Sequence, residues 1–188
     1  MPGAPIHTRG PRGISKRGGI QAEAAAGFLE PLGAERVLSS DARRAIETAE
    51  IIAGSRPVEV VPRLAGLHLG EWEGLSLEQM PELPAVLSDP ERRPPSGESL
   101  VDVLERARPA LEDALSSHGD AIDVSHRMTN AVLLAEIMAL PLTAAGAIQQ
   151  DPGGINVIER RGRGPTVAML NVSPLDPLRL ESTVATLV

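Results

Sequence analysis

A layered α/β domain is the fold class that these 188 residues predict. Three observations lead there. Short apolar runs, RVL at 36–38, VEVV at 58–61 and AIDV at 121–124, alternate with longer segments of helical period. Hydrophobic residues make up 42% of the chain, yet it holds one Phe (Phe28), one Trp (Trp72) and no Tyr, so the core has to be aliphatic. Its length suits one well-buried core, which makes 1–188 a single domain.

The elements follow in order. Ser15 caps a helix over KRGGIQAEAAAGFL, which Pro31 and Gly33 stop. RVL is a short buried strand, after which Ser40 and Asp41 are placed to cap the helix ARRAIETAEIIA, ended by Gly54. VEVV is a second strand and leads into a loop punctuated by Gly66, Gly70 and Gly74. Residues 76–88 are weakly helical and broken by Pro81 and Pro84; SDPERRPPSG, 88–97, is an exposed loop. A helix from Ser99 to Ser117 buries Val103, Leu104, Leu111 and Leu115 and bends at Pro109. AIDV is a strand, 127–140 an apolar and therefore buried helix, and 155–172 a β-hairpin turning at RGRG. The final sixteen residues carry no readable pattern.

Composition excludes several functions. A formal charge of -7 argues against general nucleic-acid binding, which needs an excess of Lys and Arg, and Arg160, Arg161 and Arg163 read as a solvated turn. Without Cys there are no disulfides or thiolate metal sites, and the four histidines show no ligand spacing, so neither metal nor other cofactor is expected. The first twenty residues lack the apolar centre of a secretory signal, and Glu136 interrupts the longest apolar stretch, AVLLAEIMAL. The expectation is a cytoplasmic protein with no membrane partner.

Two strand-to-helix junctions carry the chemistry. His126 follows one strand and Ser40 to Arg44 follow another. In a parallel sheet both lie at the carboxyl edge, where α/β proteins bind ligands. Helix starts present free N–H groups and a positive dipole end, and a guanidinium matches the oxygens of phosphate or carboxylate. Alone, His126 would be a histidine satisfied by a carbonyl, and Arg44 a surface ion pair with Glu47 or Asp41. Together they form a candidate anion pocket.

The segments SSDARRAIETA (39–49), GEWEG (70–74), GES (97–99), VSHR (124–127) and QDPGGINVIE (150–159), with SKRGGIQAEAAA (15–26) ahead of them, resemble the histidine phosphatase superfamily, the phosphoglycerate mutase-like proteins. The likeness runs from Ser15 to Val172. It implies a three-layer α/β/α sandwich around a mostly parallel sheet. It also implies an enzyme in which a histidine of an Arg-His-Gly stretch, ending the first strand, takes up the phosphoryl group. Arg44 then matches the arginine and His126 the second histidine that hold phosphoryl oxygens; Arg127 stands where a glycine usually follows. Arg9, in a segment resembling the one after the nucleophile strand, together with His68 and Arg127, completes the candidate ligand-binding set.

Two departures set the functional expectation. No Arg-His-Gly occurs in this chain, His7 lies too close to the first helix to replace it, and the family's spacing places that strand before Met1. The carboxylate expected to protonate the leaving oxygen is replaced by Gly66. The leading expectation is thus a phosphatase-like protein that has lost the covalent step and keeps an anion pocket, either to bind a phosphorylated or carboxylated small molecule or to serve a non-phosphatase reaction with His126 as acid or base. An active phosphomonoesterase whose nucleophile strand lies outside this chain, and a structural or regulatory partner protein, are the alternatives. With the first strand missing or poorly replaced by the proline-bearing residues 2–9, an open sheet edge also predicts a homodimer or a marginally stable monomer that self-associates.

Overall fold

A computed structural model describes residues 5–117, 119–162 and 164–175, the side chain of Arg161 excepted. Arg163, residues 2–4 and the stretch from 176 onward, all touched on above, lie outside the described residues.

The first helix, α1 (Lys16–Leu29), begins where Ser15 Oγ accepts the N–H of Gly18 at 3.1 Å and ends through a 3-10 turn at Gly33, whose φ of 60° suits glycine. Strand β1 (Arg36–Ser39) follows, then α2 (Arg43–Ala53) and β2 (Val58–Val60). The expected cap of α2 is corrected. Ala42 is its N-cap without a side-chain bond, and the Ser40 hydroxyl, 3.4 Å from the Ala42 N–H, is committed to His126 instead.

Residues 76–88 contain a 3-10 turn and a short α3 (Leu83–Ser88). Pro84 lies in its first turn, where a missing N–H costs nothing, so it opens a helix that the sequence predicts it to break. The 88–97 loop is exposed only in part. Pro94 is fully buried, and the Pro95 carbonyl accepts the Glu71 N–H at 3.0 Å, tying the loop to the glycine segment. Helix α4 (Leu100–Ser116) starts at a reciprocal cap between Ser99 and Asp102 and carries Pro109 inside it. Strand β3 (Ala121–Val124), α5 (Arg127–Ile137) and the hairpin β4 (Ile155–Arg161) and β5 (Gly164–Val172) complete the order. Arg160 is no mere solvated turn residue: its guanidinium donates to the Gly119 carbonyl at 3.1 Å and reaches Asp120 at 3.6 Å.

The sheet is parallel, in the order β2-β1-β3, and β4-β5 form a separate antiparallel pair. Alternation along β1 separates the layers. Val37 packs with Ile122, Val124 and the α2 alanines 49 and 53, while α1 adds Ala25 and Leu29 beside Ile52 and Ile155. Leu38 faces the other way, onto Leu64 and Ala110 of α4. The largest cluster lies beyond it, where Leu100 and Val103 meet Val132 and Leu134 under Leu67, Leu69 and Met80. The aliphatic core and the three layers expected from the sequence are present.

Within the described residues β3 pairs on one side only, with β1. The described residues 5–9 do not fill the other side: Ile6 donates to the Leu75 carbonyl at 2.9 Å and accepts from the Gly74 N–H at 2.8 Å, lying on the glycine loop. What positions the site is the register of β1 against β3. Ser39 faces Val124, so residues 40–44 and 125–127 leave the sheet side by side.

Candidate functional site

At that edge the two predicted residues meet. Arg44 Nη2 lies 2.9 Å from Nδ1 of His126, and Ser40 Oγ lies 2.7 Å from its Nε2. A guanidinium only donates, so Nδ1 is the acceptor; the proton is then on Nε2 and donates to Ser40. The imidazole is neutral. Burial, then the charges of Arg44, Arg106 and Arg9, push its pKa down to about 3. Burial also lowers the pKa of Arg44, against the nearby charge of Glu73, without bringing a guanidinium near neutrality. A second donor bond of Arg44 goes to the carbonyl of Thr8, whose N–H and hydroxyl are both held by the Glu73 carboxylate.

Gly66 is buried against this pair. A Cβ at Gly66 would lie 3.4 Å from Cγ of His126 and 3.1 Å from the Thr8 carbonyl, so a side chain there would stand directly beside the imidazole. The Gly66 carbonyl instead accepts from Arg9 Nε at 3.2 Å and Arg106 Nη2 at 3.0 Å. Glu98 joins the two arginines, taking Arg9 at 2.9 Å and Arg106 at 2.8 Å, and accepts the His68 N–H at 2.9 Å. Burial alone would raise the Glu98 carboxyl, but the Arg106 and His68 hydrogen bonds and the two arginine charges hold it below its ordinary value. The result is a wall with three guanidinium groups near one neutral imidazole.

The other candidates sit farther out. Arg9 belongs to that wall, whereas His68 contributes its backbone and its ring bonds neither Arg44 nor His126. Arg127 is exposed, with its guanidinium 3.6 Å from the Met128 sulfur. Glu47, considered above as a partner of Arg44, pairs with Arg43 at 2.7 Å. The sequence reading missed Ser40 as a histidine partner, the Thr8 carbonyl, Arg106 and Glu98. Glu98 had a signal in the GES segment, but Arg106 had none, since the carbonyls it binds, those of Arg63 and Gly66, lie about 40 residues away in the chain. Among the described residues no group of three His, Cys, Asp or Glu is placed to hold a metal.

The arrangement presents donors and positive charge without a carboxylate against the imidazole. Gly66→Glu tests this directly. A carboxylate beside the imidazole favours the charged form, so the pKa of His126 is expected to rise by at least about one unit, followed by NMR titration of the ring protons. An unmoved titration would mean that position 66 does not face His126.

The profile of the "Histidine phosphatase superfamily (branch 1)" matches residues 7–173. A probable phosphoglycerate mutase, GpmB, of Erwinia tasmaniensis is 35% identical over 70% of this chain and 66% of its own length. A glucosyl-3-phosphoglycerate phosphatase of Mycolicibacterium vanbaalenii is 32% identical over 69% of this chain and 64% of its own. The chain thus spans just under two thirds of the curated relatives it matches. A mycobacterial glucosyl-3-phosphoglycerate phosphatase solved with VO3 superposes with a TM-score of 0.82 at 28% identity, covering 90% of this chain and 91% of that one.

Proposed function

The chain belongs to the histidine phosphatase superfamily, and from that premise we propose that it binds a phosphorylated small molecule through Arg44 and His126 without turning it over. One observation carries the reading: His126 and Arg44 are in contact, while the position beside them that would hold a proton-donating carboxylate is Gly66. Binding needs only donors and charge, which Arg44 and the start of α2 supply beside a neutral His126. Turnover through a phosphohistidine needs more. A free imidazole nitrogen must attack phosphorus, and the leaving oxygen must receive a proton. Both ring nitrogens of His126 are engaged, and neither His7 nor His68 bonds the Arg44 pair.

The relatives named as phosphatase and mutase support an ester of phosphoric acid as the ligand class. The experiment is hydrolysis of p-nitrophenyl phosphate by this chain and by His126→Ala. No difference between the two is expected, and the wild-type chain should still take up phosphate in a calorimeter. Metal-independent turnover abolished by His126→Ala would overturn the reading.

A second reading has its own support. Because among the described residues β3 pairs only with β1 while β4 starts a separate pair, one further strand beside β3 would complete a sheet, and such a strand could bring a nucleophile. In that reading the chain is part of an active phosphomonoesterase. The same open edge is where a second copy would pair to give the homodimer expected from the sequence. No helix among the described residues is long and apolar enough to cross a membrane.

A further inference from the structure

A cleft of about 430 Å³, distinct from the Arg44 and His126 pair, opens between α1, the 149–152 loop and the end of β5. Its volume is in the range of small-molecule sites. One wall carries Arg17, exposed on the second residue of α1 and without an ion-pair or hydrogen-bond partner among the described residues. The facing wall is a fixed carboxylate and amide pair. Asn171 Nδ2 donates to Asp151 at 3.0 Å, the Asp151 N–H returns a bond to Asn171 Oδ1 at 2.8 Å, and Gln149 Nε2 donates to the same carboxylate at 3.3 Å. Asn171 adopts a φ of 52° to make these bonds. Gln21 donates to the Pro152 carbonyl at 2.7 Å, which joins α1 to the loop and leaves its side-chain oxygen as an acceptor on the cleft. Leu170, 43% exposed, gives the cleft an aliphatic side.

We infer that this cleft is a binding site for a hydroxylated carboxylic acid, a polyol or sugar carrying one anionic group. The chemistry follows from the lining. The side-chain amides of Gln21, Gln149 and Asn171 both donate and accept, which matches a polyol's vicinal O–H groups. The aliphatic side covers the C–H face of such a molecule. Arg17 selects for the acid, because an unpaired guanidinium gains two parallel bonds to a carboxylate. A neutral polyol would leave that charge unanswered, and a phosphate without hydroxyls would leave the amide wall unused.

The site does not depend on the phosphate reading, and the test keeps them apart. Gluconate, with sorbitol as its neutral analogue, is titrated into the isotope-labelled chain while the amide signals of Gln21, Gln149 and Asn171 are followed. Saturable shifts with gluconate, and affinity weaker by about tenfold for sorbitol and for Arg17→Ala, are expected from one lost charge-assisted contact. Arg44→Ala should bind gluconate as the wild type does. Asn171→Gly, which tolerates the positive φ, should bind it more weakly, with amide signals away from the cleft unshifted as the check on an intact fold. Three outcomes would overturn the inference: no saturable shift, equal affinity in Arg17→Ala, or shifts confined to the His126 junction and lost in Arg44→Ala.

Discussion

Arg44→Ala is expected to remove oxyanion binding from this protein, with the affinity for phosphate or vanadate falling by more than about a hundredfold, since hydrogen bonds to a charged group contribute about 1.5–3 kcal/mol each. Arg44 is placed for this by the register of β1 on β3, which sets it 2.9 Å from His126. Removing it also frees the Thr8 carbonyl, so a loss of binding alone could reflect a disturbed amino-terminal segment. Arg44→Lys separates the two effects. It keeps the charge but loses the planar fork, and an intermediate loss of about tenfold is expected from one forfeited bond. Calorimetry at low salt decides the matter, because screening weakens such contacts. Wild-type affinity in Arg44→Ala would place the anion elsewhere.

The second large effect is acid lability from His126. Its folded-state pKa is about 3, below the usual value near 6.5, so the unfolded chain binds the proton more readily. The stability this group contributes is present in full above about pH 6.5 and is lost as the pH falls toward 3, with a slope approaching about 1.4 kcal/mol per pH unit in between. His126→Gln keeps a polar amide and does not titrate. Between pH 7 and 5 the wild type is expected to lose melting temperature more steeply than this variant. The charges facing the ring, Arg44, Arg106 and Arg9, all oppose its protonation. A bound anion would relieve that opposition, so saturating phosphate should flatten the wild-type slope. Asp123 acts with the opposite sign. Although it is exposed at the open edge of β3, desolvation by the surrounding protein pushes its carboxyl up to about 6, and it is relieved as it takes up a proton. The comparison is therefore best made in an Asp123→Asn background. Equal slopes for wild type and His126→Gln in that background would contradict the burial of His126.

Most of the architecture was legible because it is written locally. The Ser15 cap, the Ser99 start of α4, the glycine stops at 33 and 54 and the hairpin all follow from side chains within a few residues of the backbone they control. Where the sequence reading went astray, a distant partner or a positional subtlety was responsible. Ser40 reads as a cap until His126, 86 residues later, takes its hydroxyl. Pro84 reads as a breaker unless the helix is known to start beside it. The pairing of Arg44 with His126 was accessible through the junction argument, since parallel strands bring their carboxyl ends together. The wall built by Arg9, Glu98 and Arg106 on the Gly66 carbonyl was not, because it joins three loops and a helix with no shared periodicity.

The contact between Arg44 and the Thr8 carbonyl has a kinetic consequence. An oxyanion that engages the Nη2 donor now on Thr8 must displace an acceptor that is tethered to the same chain and held in place through Glu73. The resident carbonyl competes at an effective concentration that no dilution lowers. Apparent affinity is then reduced by the fraction of molecules in which the segment has swung away. Arrival of ligand is governed by that opening, so the observed association rate should level off at high ligand concentration, and trimming the tether at Thr8 would raise the plateau.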